Sequence, residues 1–124
     1  MLTDEAALVD DLHAMTDGGL RAVATYDRDG YDLVYARDGL EAHIADRAPA
    51  IHRNLILEGI GTAHLEDLFR AGDLHCSMHR FEEVTAFHFV AGEYTGLFVS
   101  VDSGADVPLA TFSDRCEAAL SGED

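Results

Sequence analysis

Lysine is absent from this 124-residue sequence; all eight cationic side chains are arginine, set against 24 carboxylates and a net charge of −16. The arginines are scattered, so no cluster exists to neutralise phosphates, and the composition speaks against nucleic-acid binding. Long apolar runs are also missing: none approaches the ~20 residues of a membrane span. The opening Met-Leu-Thr-Asp-Glu has neither the basic nor the apolar region of a signal peptide, so a cytoplasmic setting and no membrane partner are expected. Cysteine is scarce. Cys76 and Cys116 stand far apart, without Cys-x-x-Cys spacing, and read as small buried hydrophobes. Phosphate-cradling glycine loops are lacking too. Asp27-x-Asp29-Gly30 has the look of a calcium loop's start, but the downstream ligands are missing, and a hairpin turn explains it better.

The most apolar stretch is Leu74–Val101. It reads as three strands, Leu74–Phe81, Val84–Val90 and Tyr94–Val101, joined by Glu82-Glu83 and Ala91-Gly92-Glu93. Alternation puts Leu74, Cys76 and Met78 on one face, and His75, Ser77, His79 and Phe81 on the other. A two-residue turn at Glu82-Glu83 pairs His79 with Ala86 and Ser77 with His88. Phe87 and Phe89 then join Cys76 and Met78. The last strand is apolar on both faces, as in a strand covered on both sides.

Before this run, residues 4–15 read as a helix with Thr3 as N-cap and Leu8, Leu12 and Met15 on one face, ended by Gly18-Gly19. Leu20–Tyr26 and Tyr31–Ala36 form a hairpin in which Leu20, Ala22 and Ala24 alternate against Arg21, Val23 and Thr25. Asp38 and Glu41 fit a capping box for a second helix. Its stripe Leu40, Ile44, Ala48, Ile51, Leu55 runs to about Leu57, kinked or divided at Pro49. Gly59-Ile60-Gly61 is expected to break it, with a short helical turn at His64–Arg70. A last helix starts near Asp106 and Pro108, buries Leu109, Phe112, Cys116 and Leu120, and ends in a frayed tail, Ser121–Asp124. With 48% hydrophobic residues the chain is not disordered despite its charge. The expectation is one α+β domain over residues 1–124: a five-stranded antiparallel sheet with helices on both faces.

The order α-β-β-α-β-β-β-α resembles the Roadblock/dynein-light-chain-like domains of the profilin-like group. That resemblance implies one long helix on one face of the sheet and the terminal helices on the other. It also implies a dimeric scaffold that binds a small GTPase or another signalling protein. The texture of Leu20–Leu40 and the ending Gly96-Leu97-Phe98-Val99-Ser100-Val101-Asp102 resemble a family of small haloarchaeal proteins of unknown function. The charge fits that setting. Spread over roughly 6,500 Å² of folded surface, it repels itself in ordinary buffer and is screened in molar salt. A nucleic-acid mimic would cluster its carboxylates, and these are dispersed.

No catalytic motif is present, so a non-enzymatic binding or regulatory module, homodimeric and without a cofactor, is the leading reading. The histidines supply the alternative, a metal- or small-ligand-sensing domain. His75 and His79 would share an ion on a helix, but on a strand they sit about 13 Å apart, beyond reach of one zinc; a site would need His88 and a further ligand. His43, His52 and His64 read as neutral polar groups on solvated faces. Cys76, directed toward Met78 and Phe87, and Cys116, on a helix stripe, read as inert. Tyr26, Tyr31, Tyr35 and Phe81 are the candidate interface residues, with self-association through the Leu74–Phe81 edge or the Leu40–Leu57 helix.

Overall fold

Most of the bulky β-branched and aromatic residues of this chain fall on one side of its strands, and that asymmetry sets the architecture. The structure, a computed structural model, describes residues 4–92 and 94–121. The elements are α1 (Glu5–Met15), β1 (Leu20–Tyr26), β2 (Tyr31–Ala36), α2 (Glu41–Phe69), β3 (Cys76–Arg80), β4 (Val84–Gly92), β5 (Thr95–Asp102) and α3 (Leu109–Ser121). The order is the expected one. All strand pairs are antiparallel, and the sheet runs β2-β1-β5-β4-β3.

The β3–β4 register is as read from alternation: Ser77 faces His88, and His79 faces Ala86. Phe87, Phe89, Leu97, Val99, Val101, Leu20 and Val23 pack against Leu8 and Leu12 of α1 and Phe112, Cys116 and Ala119 of α3. The Phe112 ring lies 4.7 Å from that of Phe87. Arg115 Nε donates to Asp11 Oδ2 across the two helices at 2.7 Å. This face holds the core. α2 alone covers the other.

Several expectations are corrected. The N-cap of α1 is Asp4, whose Oδ1 accepts from Ala7 N at 3.1 Å; Thr3 lies outside the described residues, as do Glu93 and residues 122–124 of the expected tail. Leu20 shares its face with Val23 rather than with Ala22 and Ala24, because the register with β5 shifts between Leu20 and Ala22. The β1–β2 turn is the expected hairpin turn and holds no residue with positive φ. Asp27 Oδ1 closes it by accepting from Asp29 N and Gly30 N at 2.8 and 3.1 Å. Leu109 is half exposed, and Ala119 fills the inner stripe of α3.

α2 departs most. It is one helix of 29 residues, running through Pro49, Gly59 and Gly61. Each glycine costs about 1 kcal/mol against alanine, and the strong helix formers on either side carry the helix past them. The capping box does not form. Gly39, at φ +87°, shapes a turn in which Leu40 N bonds Arg37 O at 3.0 Å. Leu40, not Asp38, becomes the N-cap, with no side-chain bond. At the far end Arg70 adopts the left-handed conformation, and Glu66 Oε2 accepts from Leu74 N at 2.7 Å. β3 therefore begins at Cys76.

Phe112→Ala should destabilise the protein by about 3–5 kcal/mol, read from denaturant unfolding. A cost near zero would contradict the placement of this ring at the centre of the core.

Candidate functional site

The face of the sheet beneath α2 carries little bulk. β1 contributes Ala22, Ala24 and Tyr26, each opposite a β5 residue, Ser100, Phe98 and Gly96 respectively. β4 adds Ala86 and His88, opposite Ser100 and Phe98. α2 answers with Ala48, Leu55, Gly59 and Thr62, its buried positions, of which only Leu55 is large. A groove of about 740 Å³ remains between helix and sheet.

A polar chain, buried at Tyr26 and His88 and open to solvent at Asn54, crosses this groove. Glu58 of α2 approaches His88 Nδ1 with Oε1 at 3.1 Å, and His88 Nε2 lies 2.6 Å from the Tyr26 hydroxyl. The carboxylate can only accept, so Nδ1 carries the proton and Nε2 accepts from the Tyr26 hydroxyl. Asn54 Nδ2 donates to Glu58 Oε2 at 2.6 Å and completes the set. Burial, with the Glu58 charge adding to it, pushes the Tyr26 phenol up to about 12. Burial also lowers the His88 pKa, against the opposing hydrogen bond and charge of Glu58. Gly96 makes the arrangement possible. A Cβ there would stand 2.4 Å from the Phe89 carbonyl and 2.8 Å from the Tyr26 ring.

A second histidine ties the helix down: His52 Nε2 donates to the Asp27 carbonyl of the β1–β2 turn at 2.7 Å. At the sheet's other end, Arg37 grips Asp102 with two bonds of 3.1 and 2.8 Å, and Arg21 adds a third at 3.3 Å. These bonds, the Arg37 one foremost, lower the Asp102 pKa.

The structure does not bring all three of His75, His79 and His88 together: His79 and His88 both line the groove under α2, where His79 helps to hold the His88 pKa down, but His75 does not. His75 precedes β3, and its Nδ1 faces Glu117 of α3 at 3.5 Å, while His88 lies under α2. Among the described residues no three His, Cys, Asp or Glu side chains are placed to hold one metal ion. Tyr26 is buried and bonded to His88, so it is no surface anchor. Tyr35 stacks edge-on with His13 at 4.8 Å, while Tyr31 and Phe81 are exposed. Sequence reasoning missed Glu58 and Asn54. Their signal was a carboxylate one turn from Leu55, beside the apolar stripe. His88, between two buried phenylalanines, was the matching signal on the strand.

The fold is that of Roadblock/LC7 domains. It matches the Roadblock/LC7 domain from Streptomyces avermitilis with a TM-score of 0.59, at 18% identity over 88% of each chain. Myxococcus xanthus MglB gives 0.62 at 16% identity, covering 96% of this chain and 90% of that one. The gliding protein MglB from Thermus thermophilus gives 0.58 at 19% identity, over 96% and 84%. By sequence, residues 6–121 match the domain of unknown function DUF7522, and the chain belongs to that family. No curated protein matches it.

Tyr26→Phe strands the buried His88 Nε2 and should cost about 1–3 kcal/mol. The pH dependence has a definite sign. Folded His88 titrates below its ordinary 6.5, so the unfolded chain binds more protons once the pH drops under that value. The contribution is whole above 6.5 and is lost as pH falls toward the folded value. His88→Gln should flatten this part of a stability–pH curve; an unchanged curve would contradict the assignment.

Proposed function

We propose that this chain is a non-enzymatic docking module that acts as a homodimer in a salt-rich cytoplasm. The observation that carries the reading is an apolar surface with no cover. Leu57, Ile60, Leu65, Leu68 and Phe69 are exposed along the second half of α2, and Met78 and Phe81 at the β3 end of the sheet. Exposed apolar side chains gathered on one element mark association surfaces. β3 is an edge strand, so its outer backbone groups lack ladder partners and can pair with another strand. The chain exposes 7357 Å², against roughly 6,500 Å² for a compact monomer of its mass.

The outward row lies on the second half of α2, whereas Leu40, Ile44, Ala48 and Leu55 supply the row over the groove. Tyr31 and Phe81 remain candidate contact residues, Tyr26 does not. The fold analogy adds the partner class: MglB has been seen in a tetrameric arrangement, and a small GTPase or another signalling protein is the partner proposed here. Nucleophilic chemistry finds no support, since burial pushes Cys76 up to about 11 and Cys116 up to about 12. No helix among the described residues is long and apolar enough to cross a membrane.

Light scattering during size exclusion in ~2 M salt, where the Debye length is only a few ångströms, should show a dimer. Leu68→Asp should shift it to monomer. A wild-type monomer at all concentrations would contradict the reading. The net charge of −16 makes a second test. The melting temperature should rise steadily from low to molar salt as self-repulsion is screened; a flat response would rule out a halophilic adaptation.

A further inference from the structure

We infer that the groove beneath α2 is a binding site for a small amphiphile, an apolar chain or ring bearing an acidic head. Protein interiors are normally filled to the density of organic crystals, and this chain packs its other face that way. Under α2 it places Ala22, Ala24 and Ala86 against Ala48 instead, and the space is the result of those choices. At about 740 Å³ the groove falls within the ~300–1,000 Å³ of ligand sites, which pair apolar walls with a few fixed polar groups. The polar chain on its floor is internally satisfied. His88 and Asn54 occupy the Glu58 carboxylate, and Tyr26 occupies His88, so the floor offers an occupant apolar contact and shape.

The head group follows from charge. Arg21 and Arg47 line the groove in a chain whose carboxylates outnumber its cations 24 to 8. Asp102 takes Arg21, but among the described residues no ion pair engages Arg47. An unpaired guanidinium at the rim of an apolar cavity suits a carboxylate or phosphate. Glu83 also lines the groove and disfavours a second acidic group. The site borders the proposed dimer surface: Tyr31 and Phe81 line it, whereas Leu57, Ile60, Leu65, Leu68 and Phe69 do not.

Calorimetric titration with decanoate tests this, beside 1-decanol, which has the same chain and no acid. Saturable binding of one decanoate per chain is expected, with decanol about tenfold weaker, a difference of about 1.4 kcal/mol. Arg47→Ala should weaken decanoate by a similar factor and leave decanol unchanged. Ala24→Phe and Ala86→Phe each fill the groove and should abolish binding; circular dichroism identifies which of them is folded, and one folded variant suffices. Light scattering on the same samples separates this outcome from self-association. No saturable decanoate binding, by monomer or dimer, overturns the proposal. So does equal affinity for decanol, or undiminished binding by a folded filling variant.

Discussion

β2 and β3 lie on opposite edges of the sheet, and the chain between them must cross its full width. That constraint governs the rest of the molecule. A helix of 29 residues is about 43 Å long at 1.5 Å per residue, more than enough for the crossing. Its seat, however, is largely alanine, glycine and serine, with Tyr26, His88 and Phe98 the bulkier exceptions. Burial of Leu55 contributes about 1.5–3 kcal/mol, and its small companions contribute less. Ordering the backbone costs ~1–2 kcal/mol per residue. Thin apolar packing leaves a large part of the seating to two histidine ties, His52 to the β1–β2 turn and His88 to Glu58.

The two faces of one sheet therefore do different work. Toward α1 and α3, phenylalanine, leucine and valine build a dry core that fixes the fold. Toward α2, small residues and a polar chain leave room. The helix above that room presents a second apolar row to solvent. A firm scaffold on one side and a loosely seated, outward-facing helix on the other suit a docking module better than a catalyst. With its phenol held protonated, Tyr26 serves the chain as a hydrogen-bond donor.

Much of this was legible in the sequence. Alternation in Leu20–Tyr26 and Tyr31–Ala36 gave both strands their bounds, and the Glu82-Glu83 turn gave the β3–β4 register. These are local patterns, and local sterics enforce them. Strand order was not legible, because it depends on β1 pairing with β5 from the far end of the chain. The continuity of α2 was not legible either. Pro49, Gly59 and Gly61 signal breaks, and the signal is right for an isolated peptide. Flanking residues and the crossing requirement override it. Alternation also placed His88 on its face correctly, but nothing local could name Glu58 and Tyr26 as its partners. The bulge after Leu20, which moves that side chain into the core, left no mark in composition.

Polar ties, rather than apolar packing of its own, hold α2 to the sheet, and the proposed dimerisation would add a partner to them. Native-state hydrogen exchange, followed amide by amide over a range of protein concentrations, tests this seating most directly. The account predicts that α2 amides of dilute protein exchange through a local opening well below the global unfolding free energy, and that their protection rises with concentration. Protection of α2 equal to that of β4 and β5 in dilute protein, without dependence on concentration, would contradict it.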